Sequence, residues 1–170
     1  MLSINALIVP LLGVSLFKDL KPLQLKALAL NAERIVFEPG ETLIERGQFG
    51  TAAYLIIHGS VAVTDNMDAT LESKSFSPGT LIGEMAMLVE TEHFSTVTVG
   101  ETVRALAFHR STMHRLMQVD QELAAHFAEQ IRLRLSEFGS VLRVASNEMG
   151  DAHNQIERLE GNQLAVGDER

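Results

Sequence analysis

Residues 45–61 read ERGQFGTAAYLIIHGSV, in which a run of strand-forming residues lies between two segments that contain turn-forming glycines. Valine, isoleucine, threonine and phenylalanine stay frequent from residue 34 to residue 109, and glycine, proline or asparagine divides this region into short runs. Val97 and Val99 alternate with two threonines, which is the period of a strand with one buried face. The region therefore predicts a small closed or rolled β-structure.

Helical patterns flank this β region on both sides. A short, largely buried helix is predicted from Pro22 to Ala32, and its leucines are Leu23, Leu25, Leu28 and Leu30. From Ser111 onward, apolar residues recur at intervals of three and four, as in a helix. The predicted fold class is α+β: a jelly-roll-like β-roll with short N-terminal helices and a long C-terminal helix. The predicted divisions are a lead-in helix over 1–15, the β-roll domain over 16–120, the long helix over 121–160 and a disordered tail over 161–170.

The chain has 170 residues, of which 46% are hydrophobic and 21% are charged, as expected for one globular domain with an appended helix. Its net charge is −8, so it has no basic surplus with which to bind nucleic acid or an anionic membrane. Cysteine is absent, which excludes disulfides and is compatible with a cytoplasmic location. The apolar start, Leu2 to Phe17, contains no basic residue and is interrupted by Pro10 and Gly13. We therefore expect a helix packed on the domain, and neither a signal peptide nor a membrane span.

The C-terminal helix carries two successive apolar stripes. The first steps by four and suits packing against the β-roll; its members are Leu123, Phe127, Ile131 and Leu135. The next steps alternate between three and four, as in a coiled coil, and the predicted dimer interface consists of Leu135, Phe138, Leu142, Ala145 and Met149. A helix packed only on its own domain is the alternative. However, a helix from Gln121 past Met149 would extend roughly 40 Å, longer than the domain it would cover, so we expect a homodimer.

Two segments of the chain together resemble the signatures of the cyclic-nucleotide-binding domain family. The first comprises residues 45–50 and 54–61, which read ERGQFG and YLIIHGSV. The second, residues 82–88, reads IGEMAML and is followed by Ser95-Thr96-Val97. The likeness runs from about Leu16 to Leu142. The family includes catabolite activator proteins, regulatory subunits of cyclic-AMP-dependent kinase and the cytoplasmic ends of gated channels. The resemblance implies a β-roll that contains a short phosphate-cassette helix.

The resemblance also implies a ligand, cAMP or cGMP, held by the cassette. The site residues that it implies are Ile82, Gly83, Glu84, Met85, Ala86, His93, Phe94 and Ser95. The residues themselves support part of this, because Gly83 permits close backbone approach and a turn over 84–88 would point N–H groups at a phosphate. The matching glutamate in the family contacts the ribose, which is the role implied for Glu84. Possible base contacts on the long helix are Phe138, Ser136 and Ser140.

Family members carry an arginine for the cyclic phosphate at the position that His93 occupies. An imidazole has an ordinary pKa of about 6.5, so little positive charge remains beside the phosphate above pH 7. No lysine or arginine lies between Ser75 and Val103, whereas four glutamates do. Losing one charged hydrogen bond costs about 1.5–3 kcal/mol, roughly ten- to a hundredfold in affinity. Phe94 is a second departure, because its bulky ring replaces a small residue and would either fill the pocket or enclose an altered ligand.

Three functions are compatible with these features. In the first, the domain binds cAMP or cGMP weakly and signals through its C-terminal helix to a protein partner. In the second, the pocket is degenerate and the roll is a dimeric interaction scaffold. The third, a cupin-like metalloenzyme, has little support: the six histidines form neither an H-x-H pair nor an H-E-x-x-H motif, and His114 and His126 are expected on helix surfaces. We therefore expect no catalytic residue, no metal and no cofactor. The residues after Ser136 are acidic on balance, so we expect no helix-turn-helix and no direct DNA binding.

Overall fold

The computed structural model of the protein describes residues 4–64, 74–137, 139–140 and 143. Two predicted features lie outside these residues: the tail over 161–170, and the interface residues Phe138, Leu142, Ala145 and Met149. The chain divides into two compact units, Met1–Ala128 and Glu129–Arg170. The first unit contains the β-roll, and the described residues of the second unit are helical.

The described residues form eight strands flanked by helices. The N-terminal helical elements are α1 (Ile4–Leu12), a 3-10 turn (Ser15–Phe17) and α2 (Pro22–Asn31). The strands are β1 (Glu33–Phe37), β2 (Thr42–Ile44), β3 (Ala52–His58), β4 (Val61–Thr64), β5 (Lys74–Phe76), β6 (Leu81–Ile82), β7 (Thr96–Val99) and β8 (Val103–His109). A one-turn 3-10 helix between β6 and β7, Glu84–Met87, is named the cassette helix. The chain continues with α3 (Arg110–Val119) and with α4, which covers residues 121–137; residues 139–140 and 143 are also helical.

Two four-stranded antiparallel sheets form the roll. One has the strand order β1-β8-β3-β6 and the other has β2-β7-β4-β5. Both contribute to one hydrophobic cluster, which consists of Leu43, Ile44, Ile56, Val61, Val97, Val99, Val103 and Ala105. Val97 and Val99 are each 3% exposed, whereas Thr96 and Thr98 are half-buried, so the predicted alternation is correct. The α+β prediction with a β-roll is confirmed.

Helix α2 buries only one of its faces. It begins at Pro22, where the missing N–H has no intrahelical partner to lose. Leu25 and Leu28 are buried, but Leu23 is 77% exposed and Leu30 is 60% exposed. The prediction of a largely buried helix is wrong for these two leucines. A helix turns by about 100° per residue, so only one stripe of a short helix can face the core.

A second apolar cluster joins the segments before and after the roll. The ring of Phe17 meets the rings of Phe108 and Phe127 edge-on, with centroid distances of 5.5 Å and 6.4 Å. Next to it, a ring nitrogen of His126 donates to the backbone carbonyl of Leu16 at 2.8 Å. His126 is therefore a partly buried bridge between the two ends of the first unit, and its predicted location on a helix surface is wrong.

A break at Asp120 separates α3 from α4. Asp120 is extended, with φ −127° and ψ 99°, and its carboxylate accepts a hydrogen bond from the backbone N–H of Leu123 at 2.9 Å. The other carboxylate oxygen accepts from Nε2 of Gln24 at 3.0 Å. Both hydrogen bonds lower the pKa of Asp120, and the one from Leu123 has the larger effect. The helical pattern that starts at Ser111 therefore corresponds to two helices with a capped boundary between them.

The apolar stripe of α4 is buried in its first part. Leu123 is 1% exposed and Phe127 is 0% exposed, whereas Leu135 is 65% exposed. The first two residues of the stripe thus lie in the core, and its last residue faces solvent. None of the helices in the described ranges combines the length and the apolar character that a bilayer span requires.

Candidate ligand-binding site

The cassette helix begins at a glycine in a conformation that other residues rarely adopt. Gly83 has φ 74° and ψ 29°, in the left-handed region. A Cβ at this position would lie 3.2 Å from Cδ1 of Ile44 and 3.4 Å from the carbonyl oxygen of Ala52. The turn closes where the N–H of Ala86 donates to the carbonyl of Gly83 at 2.9 Å. The helical turn predicted after Gly83 is thus present.

The segment that follows the cassette helix pairs with the ERGQFG segment. Two backbone hydrogen bonds of 2.8 Å and 3.0 Å join His93 to residues 45–50. One residue further along, Phe49 and Glu92 form an antiparallel bridge. We name the two paired segments, residues 45–50 and 91–94, the ribbon. The first signature therefore pairs with the segment that lies between the two parts of the second signature.

Neighbouring residues of the ribbon point to opposite faces. The side chain of His93 is on the inner face, because any side chain at Gly50 would collide with the His93 ring and with Cβ of Ala86. The side chain of Phe94 is on the outer face and is 76% exposed. Phe94 therefore does not fill the pocket, and that alternative is wrong. The physical reason is that successive side chains of a paired strand point to opposite faces, so Phe94 points outward when His93 points inward.

The imidazole of His93 lies between the ribbon and the cassette helix. Its Cε1 would be 2.6 Å from a Cβ at Gly50 and 3.5 Å from a Cβ at Gly83, so the ring occupies the space that these two glycines leave. Within the described residues, neither ring nitrogen has a hydrogen-bond partner. Burial lowers the pKa of His93 below its ordinary value of 6.5, because desolvation disfavours the charged form. At neutral pH the pocket wall thus presents an uncharged imidazole.

The other predicted site residues on the roll are all at least partly buried. Ala86 is buried, and the half-buried members are Ile82, Gly83, Glu84, Met85 and Ser95. Within this set, the structure brings Gly83 and Ala86 close to the His93 ring, next to Gly50. The candidate base contacts Ser136 and Ser140 belong to the second unit, where the hydroxyl of Ser140 donates to the carbonyl of Glu137 at 2.7 Å.

Sequence reasoning missed Arg110, which supports the site from behind. Arg110 is the first residue of α3, and its side chain is 20% exposed. Its Nη1 donates to the backbone carbonyls of Gly50, Ala86 and Val89 at 2.8, 3.2 and 3.1 Å. Gly50 belongs to the ribbon, Ala86 to the cassette helix, and Val89 to the segment that follows the cassette helix. One guanidinium therefore cross-links both sides of the pocket.

His114 lies one turn further along α3 and adds a second link. A ring nitrogen of His114 donates to the carbonyl of Leu88 at 2.9 Å, so α3 holds the end of the cassette helix at two points. The residue is exposed as predicted, but its ring is engaged with the cassette. Arg110 lies beyond the cation-free stretch from Ser75 to Val103, and a basic residue at the junction of the last strand and the next helix is the one signal that points to it.

The family model for the cyclic nucleotide-binding domain matches residues 34–120, just over half of the chain. This chain belongs to that family. The match runs from β1 through α3 and so contains the ribbon, the cassette helix and Arg110. The resemblance read from the two signatures is therefore confirmed.

Relatives of this cyclic nucleotide-binding domain are receptor, regulatory and channel proteins by name. The cyclic AMP receptor protein of Thermus thermophilus is 29% identical over 128 residues, which cover 71% of this chain and 58% of that protein. The cAMP-dependent protein kinase regulatory subunit of Aspergillus fumigatus is 30% identical over 104 residues, 61% of this chain and 25% of the subunit. The human cyclic nucleotide-gated channel beta-3 is 22% identical over 133 residues, 76% of this chain and 16% of the channel. The chain spans less than two thirds of the length of each of these relatives. The family assignment confirms that this domain is not an enzyme.

Two solved structures share the fold of this cyclic nucleotide-binding domain. The cyclic nucleotide-binding-like protein from Brucella abortus has a TM-score of 0.60 at 29% identity, covering 66% of this chain and 97% of that one. The N-terminal domain of a transcriptional regulator from Streptomyces coelicolor has a TM-score of 0.66 at 23% identity, covering 74% of this chain and 89% of that one, which is a likeness of fold alone.

In the part of the chain that the structure describes, no three histidine, aspartate or glutamate side chains are grouped to hold a metal ion.

Proposed function

We propose that this domain binds cAMP or cGMP weakly, binds it more tightly as the pH falls, and passes the bound state through its C-terminal helices to a protein partner. The observation that carries the proposal is the position of the His93 ring, which faces Gly50 and Gly83 on the inner side of the pocket. A ring nitrogen without a protein partner in the described residues can contact an anion there. Because burial keeps this ring mostly neutral at pH 7, the contact is weak.

The pH dependence follows from which form of His93 meets the phosphate. The cyclic phosphate is an anion and forms a stronger hydrogen bond with imidazolium than with imidazole. The pKa of His93 lies below 6.5, so the protonated fraction is negligible at pH 8 and grows as the pH falls below 6.5. One charged hydrogen bond is worth about 1.5–3 kcal/mol, so full protonation should raise the affinity by roughly ten- to a hundredfold.

Two contacts support transmission of the bound state to the helices. Arg110 and His114 both lie on α3, and both hold backbone carbonyls of the cassette helix or of the residues that follow it. A ligand that displaces the cassette helix must therefore either carry α3 with it or break these bonds. We propose α3 as the first element that responds. We further propose that the chain acts in the cytoplasm as a homodimer, and that the C-terminal helix forms the dimer interface at Leu135, Phe138, Leu142, Ala145 and Met149.

Isothermal titration calorimetry with cAMP and cGMP, at pH 8 and at pH 6, tests the binding proposal. The native chain should bind more tightly at pH 6, and the His93→Arg variant should bind more tightly than the native chain at pH 8, with a smaller pH dependence. His58→Arg is the matched control, because His58 is exposed at the opposite end of β3 from Ala52, about 20 Å along the strand. Absence of heat with both nucleotides at both pH values in the His93→Arg variant would refute the proposal.

A dimeric scaffold without a ligand is the second candidate. The lowered pKa of His93 favours it, and so does the acidic stretch between Ser75 and Val103, which has four glutamates and no lysine or arginine, because both features oppose anion binding. This candidate requires a flat calorimetric titration together with a dimer in analytical ultracentrifugation. A saturable titration with either nucleotide would eliminate it.

A further inference from the structure

The outer face of the ribbon carries two exposed aromatic rings beside a carboxylate. Phe49 is 59% exposed and Phe94 is 76% exposed. Glu92, also exposed, lies opposite Phe49 in the antiparallel bridge. Phe94 follows Glu92 by two residues on the same segment and so shares its face. We name Phe49, Glu92 and Phe94 the outer triad.

The outer triad is open to a partner. The Phe94 side chain is 76% exposed, so the described residues leave most of its ring uncovered. In the described part of the chain, neither ring of the triad packs against another aromatic ring. Single exposed apolar residues are common on protein surfaces, but two on one face of one ribbon form a patch, and patches mark interaction sites.

The charge around the triad selects the chemistry of the partner. The charged residues in and next to the ribbon are all exposed, and they are Glu45, Arg46, Glu90 and Glu92, three acids and one base. A second copy of the chain would present the same acids to this face, and the repulsion between them opposes self-association here. A guanidinium stacks on aromatic rings and forms paired hydrogen bonds with a carboxylate. It therefore complements both components of the triad.

We propose that the outer triad docks an arginine-bearing segment of a partner protein. The docking goes beyond the proposed nucleotide binding and requires no ligand in the pocket. His93 and Phe94 are consecutive residues with side chains on opposite faces of the ribbon, so the partner and the pocket contact the same backbone segment from its two sides. The ribbon is therefore a second route from the pocket to a partner, separate from the contacts of Arg110 and His114 with α3.

Peptide display on the full chain tests this docking. A phage library of random dodecapeptides is selected on the immobilised protein without nucleotide, and the enriched peptides are synthesised and titrated by fluorescence anisotropy. We expect arginine beside an apolar residue to recur in the enriched peptides. The double variant Phe49→Ser/Phe94→Ser should weaken their binding about tenfold or more, and Glu92→Gln, which preserves shape, should weaken it about threefold.

The matched control is Leu30→Ser/Val36→Ser, which removes two apolar side chains of 60% and 57% exposure elsewhere on the first unit and should leave peptide affinity unchanged. His93→Arg should change nucleotide affinity and not peptide affinity, so failure of the docking proposal and failure of the nucleotide proposal are distinguishable. Failure of any peptide to be enriched, enrichment of peptides without arginine, or equal binding by the Phe49→Ser/Phe94→Ser variant would overturn the docking proposal. Loss of a dimer in that variant by ultracentrifugation would also overturn it, because a second copy would then be the occupant.

Discussion

Replacement of Arg110 by methionine would remove the guanidinium that joins the ribbon to the cassette helix. Methionine retains an unbranched chain in place of the aliphatic part of the arginine side chain. In the native chain, Nη1 of Arg110 contacts the carbonyls of Gly50, Ala86 and Val89. The backbone N–H of Arg110 donates to the carbonyl of Thr51 at 2.8 Å, and this bond does not depend on the side chain. Arg110→Met thus isolates the contribution of the guanidinium.

We expect Arg110→Met to lower the free energy of unfolding by about 3 kcal/mol. Nη1 carries two hydrogens, so its contacts with three carbonyls amount to about two hydrogen bonds. A hydrogen bond from a charged group contributes about 1.5–3 kcal/mol, and the lower limit applies here. The side chain is 20% exposed, so water replaces part of what is lost. The ion pair with Glu90, at 3.9 Å, adds little because the Glu90 side chain is 74% exposed.

Urea denaturation followed by circular dichroism measures this loss directly. Arg104→Met is the matched control, because Arg104 is exposed on β8, and its substitution should change stability by less than about 0.5 kcal/mol. A loss below about 1 kcal/mol in Arg110→Met, or an equal loss in the control, would refute the assignment of a cross-linking role to Arg110.

Three further predictions concern the pocket, the helix boundary and the dimer. Gly50→Ala places a methyl group against the His93 ring; it should destabilise the fold by about 1–3 kcal/mol in urea and abolish any calorimetric nucleotide signal, whereas unchanged stability would contradict the packing described. The hydrogen bond from the Leu123 N–H is the main cause of the lowered pKa of Asp120. The ionised carboxylate therefore stabilises the fold above its ordinary pKa of 3.8, and this stabilisation disappears as the pH falls through the lowered pKa. Asp120→Asn should therefore flatten the decline of stability below pH 3.8 in acid titrations, and an unaltered decline would count against the cap. Leu135→Glu should convert the proposed dimer to a monomer in sedimentation velocity, with an unchanged fold by circular dichroism.

Local pattern was sufficient to predict the roll and the cassette turn. The alternation at Val97 and Val99 depends only on which face of a strand is buried. Gly83 marks a left-handed backbone conformation that residues with a Cβ rarely adopt. Both signals lie within a few residues of the structure that they determine. The placement of His93 at the family's arginine position comes from the resemblance and stays a prediction.

Contacts between distant segments could not be read in this way. Arg110 and the carbonyl of Gly50 are 60 residues apart in the chain, and His126 and the carbonyl of Leu16 are 110 residues apart. No periodicity encodes such pairs, because they form only after the roll places the helices against it. The outward direction of Phe94 depends in the same way on the pairing of the ribbon, which composition does not specify.

The pKa of His93, measured by NMR titration of the labelled imidazole with and without saturating cAMP, tests the central claim most directly. The account predicts a pKa below 6.5 in the ligand-free chain and a raised pKa in the complex, because tighter binding to imidazolium must shift its protonation by the same free energy. A His93 pKa that stays the same while cAMP demonstrably occupies the protein would contradict it.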